Sequence, residues 1–103
     1  MKKRTTTRPV PQNPATSTQT VRVDYWHPTA TEVCIAGTFN EWHPNVTPMV
    51  SLGSGHWCKE LVLPPGRHEY RLLVDGEWVT DPAATETVPN SYGSQNGVLV
   101  VQP

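Results

Sequence analysis

The chain has 103 residues, enough for one domain, and residues 1–20 are Thr-, Pro- and Gln-rich with almost no large apolar side chains, so they cannot offset the entropy of ordering and are expected to be a disordered basic tail. The net charge of −1 hides an asymmetry: Lys2, Lys3, Arg4 and Arg8 lie in that tail, which leaves Arg22, Lys59, Arg67 and Arg71 against nine acidic residues in the remainder, near −5. That remainder would repel polyphosphate, which argues against a nucleic-acid-binding core. No apolar run follows Lys2-Lys3-Arg4 as a secretion signal requires, and none is long enough to span a bilayer, so a cytoplasmic chain with no membrane partner is expected. From Met1 and the tail, a free-standing chain is expected.

Residues 21–103 read as short strands between turn signals. Val21 to Trp26 is the first, ended by His27-Pro28, and Glu32 to Gly37 is the second. Val46 to Leu52 is a weaker third, with Pro48 marking an edge. Gly53-Ser54-Gly55 leads into Trp57 to Leu63, and Pro64-Pro65-Gly66 into a long strand from Arg67 to Val74. Asp75-Gly76 favours a type I′ hairpin turn, with Glu77 to Thr80 returning. Asp81 to Ser94 reads as a polar loop and Gly97 to Gln102 as a last apolar strand. No window carries helical periodicity. The fold class is all-β, an immunoglobulin-like antiparallel β-sandwich of about seven short strands.

Catalytic chemistry finds little purchase. Glycosidic hydrolysis needs two carboxylates across the scissile bond, and Glu32, Glu41, Asp75, Glu77 and Asp81 fall at turns or exposed strand positions. His27, His43, His56 and His68 are widely separated, read as surface or turn residues, and form no zinc-ligand spacing. Gly-x-Ser-x-Gly is absent, and no helix follows Gly53-Ser54-Gly55 to make it a phosphate loop. Cys34 and Cys58 read as free packed thiols, with a disulfide left open by the sequence. No metal, cofactor or catalytic residue is expected.

The hairpin carries the functional signal. A two-residue loop pairs Val74 with Glu77, Leu73 with Trp78 and Leu72 with Val79. Tyr70, Leu72 and Val79 then share a core face, while Arg71, Leu73 and Trp78 share the other. An indole beside a guanidinium on the less apolar face suits a flat, hydroxyl-rich ligand. Sugar C–H faces stack on aromatic rings, and sugar hydroxyls need donors and acceptors fixed in direction. Trp26 and Trp57 are expected in or at the core. The exposure of Trp42, in a polar loop, stays open. The loop from Asn90 to Asn96 can bring Tyr92 and Asn96 beside the hairpin.

Taken in order, Gly37-Thr38-Phe39-Asn40-Glu41-Trp42, the run Leu63 to Trp78 with its Asp75-Gly76 turn, Asp81-Pro82 and Asn96 resemble the glycogen-binding module of the AMP-activated protein kinase β subunit. They are also similar to the early-set modules at the N-termini of isoamylases, pullulanases and branching enzymes, carbohydrate-binding module family 48. The resemblance spans about Val21 to Gln102. It implies a carbohydrate site of Trp42, Arg71, Trp78, Tyr92 and Asn96, with Arg71 where the kinase module has lysine and Tyr92 where it has leucine. It implies non-catalytic binding of α-1,4-glucans, such as glycogen, starch-like chains or malto-oligosaccharides. Two alternatives stay open: a protein-interaction or regulatory domain of the same fold, and an accessory domain docking on a glycogen-metabolising enzyme.

Overall fold

In the computed structural model, described for residues 18–103, eight strands run in chain order. They are β1 (Gln19–Trp26), β2 (Val33–Gly37), β3 (Val50–Gly53), β4 (His56–Leu63), β5 (Gly66–Val74), β6 (Glu77–Val79), β7 (Thr87–Pro89) and β8 (Gln95–Val101). Two antiparallel sheets face each other, one ordered β1-β4-β3 and the other β2-β5-β8-β7, with β6 paired to β5. The expected all-β sandwich is the observed one. The tail expected over residues 1–20 lies, up to residue 17, outside the described residues, and Gln19 and Thr20 belong to β1.

Alternation decides which side chains meet between the sheets. Val23 and Tyr25 of β1, Trp57, Leu61 and Leu63 of β4, and Tyr70, Leu72 and Val74 of β5 point inward. Val33 and Ile35 of β2 join them. Trp57 is in the core, as expected. Trp26 is not: it follows the inward Tyr25, so alternation turns it outward, and it is 61% exposed. Its ring stacks on His56, centroids 4.4 Å apart and planes 9° from parallel. His56 Nε2 meets Asp24 Oδ1 at 2.8 Å, and Arg22 Nε donates to the same oxygen at 2.9 Å.

Three other sequence expectations are corrected. The third strand is interrupted: Pro44 starts a 3-10 turn, Pro44–Val46, Pro48 makes only an isolated antiparallel bridge to Cys34 of β2, and β3 begins at Val50. The loop Asp81 to Ser94 contains β7, three residues paired to β8. Two polar residues read as surface groups are buried. His68 points inward with Tyr70 and donates from Nε2 to the Pro64 carbonyl, 2.8 Å away. Asp81 accepts from the Tyr70 hydroxyl at 2.6 Å and from the Ala83 N–H at 2.9 Å. Burial, then the bond to Asp81, pushes the Tyr70 phenol well above its ordinary range. Both thiols are free, with Cys34 buried, which pushes its thiol up.

The β5–β6 hairpin has the expected register: Val74 opposite Glu77, Leu73 opposite Trp78, Leu72 opposite Val79. Asp75 and Gly76 both have positive φ, 49° and 85°, as a type I′ turn requires. The Asp75 carboxylate accepts from the N–H of Glu32 at 2.8 Å, the hydroxyl of Thr31 at 2.9 Å and the N–H of Thr31 at 3.0 Å. These bonds, that of Glu32 first, hold its carboxyl below the ordinary 3.8. A carboxyl depressed on folding contributes stability that is complete above its unfolded pKa and is lost as pH falls through the lower, folded value. Asp24, held down first by His56, and Glu86, held down first by Arg67, share this acid limb. Asp75→Asn is therefore expected to flatten the loss of stability below about pH 4. Urea unfolding midpoints of both proteins from pH 2 to 7 check this; parallel curves would refute it.

Candidate functional site

The outward face of β5 is the floor of the site. Glu69, Arg71 and Leu73 alternate with the buried His68, Tyr70, Leu72 and Val74. The tight turn at Asp75-Gly76 folds Trp78 back beside Leu73 on this same face. Trp78 is 45% exposed.

Trp42 arrives from the connection after β2. Phe39 packs inward against the core, and Asn40 ties the loop down. Its Oδ1 accepts from the Gly37 N–H at 2.9 Å, and its Nδ2 donates to the Ile35 carbonyl at 3.1 Å and to Thr47 Oγ1 at 2.9 Å. Glu41 and Trp42 then both take left-handed backbone, φ 55° and 61°. That conformation is costly for a side chain as bulky as indole. Its Trp42 N–H bonds the Gly37 carbonyl at 2.9 Å, and the ring is left 36% exposed. Asn40→Ala is expected to cost about 1–3 kcal/mol, because it unpairs three half-buried groups. It should weaken ligand binding as well, by freeing Trp42. Thermal unfolding and a glucan titration of the variant check both.

The third segment is the loop before β8. Asn90 Oδ1 accepts from the N–H groups of Tyr92 at 2.9 Å and Ser94 at 3.1 Å, an Asx-type turn completed by Gly93 at φ 79°. Tyr92 is thrust out at the crest, 90% exposed. Asn96, at the start of β8, is 7% exposed and sits in an amide chain. Asn90 Nδ2 donates to Asn96 Oδ1 at 3.0 Å, and Asn96 Nδ2 donates to Glu69 Oε1 at 3.0 Å. Arg71 Nη2 donates to Ser94 Oγ at 3.0 Å, and its Nε is buried without a partner.

These segments enclose one groove of about 890 Å³. All five residues singled out in the sequence, Trp42, Arg71, Trp78, Tyr92 and Asn96, line it. Thr38, Glu69, Asn90 and Ser91, not singled out there, line it too. Glu69 was within reach of strand alternation, since it stands two residues before Arg71 on the same face. Asn90 acts through a loop whose shape only the folded chain reveals. The groove combines two half-exposed indoles and a phenol ring with a guanidinium, amides and one carboxylate. Among the described residues, no three His, Cys, Asp or Glu side chains converge as a metal site, and no helix is long and apolar enough to cross a membrane.

Comparison with known proteins follows this geometry. Residues 21–103 match the family model described as the glycogen recognition site of AMP-activated protein kinase. Over 77 residues, 75% of the chain, the protein is 34% identical to 5'-AMP-activated protein kinase subunit beta-2 of Mus musculus, of which it spans 27%. It is 32% identical to subunit beta-1 of Sus scrofa over 77 residues, 75% of this chain and 60% of that one. It is also 32% identical over 76 residues, 74% of the chain, to Protein PTST homolog 2, chloroplastic, of Arabidopsis thaliana, of which it spans 14%. The chain thus covers about a quarter of the beta-2 subunit it matches. By the extent of the family match, the chain belongs to the family of the AMP-activated protein kinase glycogen recognition site, carbohydrate-binding module family 48.

Proposed function

We propose that this protein is a non-catalytic α-1,4-glucan-binding domain that holds glycogen, starch-like chains or malto-oligosaccharides in the groove over β5. The observation that carries the reading is the meeting of two half-exposed indoles, Trp42 and Trp78, with Arg71, Tyr92 and Asn96 around one cavity. The indoles stack on glucose rings, Arg71 and Asn96 hydrogen-bond hydroxyls, and Tyr92 packs on a ring or inside a cyclic oligosaccharide. The buried, unpaired Nε of Arg71 is a further donor in need of an acceptor. An open surface site of this kind is expected to bind with a Kd of about 10 μM to 1 mM. Intrinsic tryptophan fluorescence titrated with β-cyclodextrin, against cellohexaose as control, tests it. A saturable response to the cyclic α-glucan alone supports the reading. No response, together with no co-sedimentation with glycogen, refutes it.

A second reading is an accessory domain that docks on a larger glycogen-metabolising or regulatory protein. It draws on the outward face of the β1-β4-β3 sheet, where Trp26, Val50, Leu52 and Val62 are all more than half exposed. A Val62→Asp variant that folds and binds glucan as wild type does, but releases such a protein, would favour it.

A further inference from the structure

Among the residues around the groove, Glu69 is the one charged group to which neither the family resemblance nor the hairpin argument gives a part. Oε1 of its half-buried carboxylate accepts from Asn96. Glu69 forms no ion pair among the described residues: the nearby Arg67, which feels its charge, pairs with Glu86 at 2.7 Å, and Arg71 donates to Ser94. A half-buried carboxylate that forms no ion pair leaves lone pairs free to accept from donors.

The amide chain beside it has a direction set from both ends. Asn90 Oδ1 is committed to the backbone N–H groups of Tyr92 and Ser94, so Asn90 Nδ2 must face Asn96 and donate. Asn96 therefore presents Oδ1 to Asn90 and Nδ2 to Glu69. A flip of Asn96 would set its oxygen against a carboxylate, which can only accept. Of the other polar groups, the Arg71 guanidinium can only donate and the Asn90 oxygen is already used twice; the hydroxyls of Thr38, Ser91 and Tyr92 can accept but carry no charge, so Glu69 is the one anionic acceptor lining the groove. A sugar hydroxyl both donates and accepts, so a site that grips one firmly needs an acceptor too.

We propose that Glu69 is a hydroxyl-accepting binding residue of this groove: Oε1 fixes the direction of the Asn96 amide, and Oε2 accepts from a glucose hydroxyl of the bound glucan. The inference rests on the glucan reading above and adds to it a charged acceptor beside the groove's donors. Hydrogen bonds to a charged acceptor are among the stronger ones, and an oriented carboxylate rejects a ligand whose hydroxyl is missing or blocked.

The test is calorimetric titration of the full chain with maltoheptaose and β-cyclodextrin, using wild type, Glu69→Gln, Asn96→Ala and the double variant. Glutamine keeps an oxygen for Asn96 and puts a donor where Oε2 stands. Glu69→Gln is expected to bind about tenfold more weakly with an unchanged unfolding midpoint. In the Asn96→Ala background it should still cost several-fold, because the sugar contact is its own. Glu69→Gln binding within about twofold of wild type overturns the proposal and leaves the glucan reading intact. A loss that vanishes in the Asn96→Ala background overturns the acceptor role, since Glu69 would then act only through Asn96. If wild type itself binds neither ligand, the glucan reading fails first and this one with it.

Discussion

Trp78→Ala is expected to weaken α-glucan binding by about 1–3 kcal/mol, roughly 5- to 150-fold in Kd, while leaving the fold intact. The indole is 45% exposed on the outward face of the hairpin, so its removal opens no core cavity. Its loss takes away the flat apolar surface on which a sugar ring would rest. Trp42→Ala should cost a similar amount of binding for the same reason. Alanine keeps the Cβ that makes the left-handed backbone at φ 61° costly, so that strain stays and, with no core cavity opened, the unfolding midpoint should hold close to wild type. Isothermal titration with β-cyclodextrin and thermal unfolding of each variant measure the two effects separately. Trp26→Ala is the control: its indole is on the opposite sheet, and binding should not change. Wild-type affinity in the Trp78→Ala protein would show that the groove over β5 is not the site.

Asp81→Ala is expected to destabilise the domain by about 2–4 kcal/mol. Asp81 is 4% exposed and Tyr70 2%, so the 2.6 Å bond between them has no water to replace it. Removing the carboxylate strands the Tyr70 hydroxyl and the Ala83 N–H and loosens the turn after β6. Tyr70→Phe reverses the defect and strands the carboxylate, at a comparable cost. The double variant Tyr70→Phe/Asp81→Ala should then be less damaged than the two losses added, with a coupling of about 1–3 kcal/mol. In a domain whose total stability is on the order of 5–10 kcal/mol, either single change should lower the denaturant midpoint visibly. Strict additivity would mean that the bond contributes nothing beyond its parts.

Much of the fold was legible because strand alternation and turn chemistry are local. The Asp75-Gly76 turn alone predicts the register of β5 and β6, and with it the faces of Tyr70, Leu72, Arg71 and Trp78. The same alternation, carried one residue past Tyr25, would have turned Trp26 outward. What stayed illegible depends on partners far along the chain. His68 and Asp81 look like surface residues until the Pro64 carbonyl and the Tyr70 hydroxyl receive them in the core. The strand β7 is three residues ending in Pro89 and exists only through its pairing with β8. At the site, the five residues named from hairpin geometry and family resemblance come together in space. Glu69 and Asn90 were missed because their part is set by a hydrogen-bonded chain whose members are 6 and 27 residues apart.

The groove draws its walls from three stretches of chain, the connection after β2, the β5–β6 hairpin and the loop before β8. In the unfolded chain they have no fixed relation, so a ligand spanning them recognises the native state alone. Any such ligand acts as a removable brace: by mass action it adds RT ln(1 + [L]/Kd) to the folding free energy, about 2.7 kcal/mol at a hundredfold excess over Kd. With the proposed glucan in the groove, the protein would therefore melt at a temperature set by the concentration of that glucan.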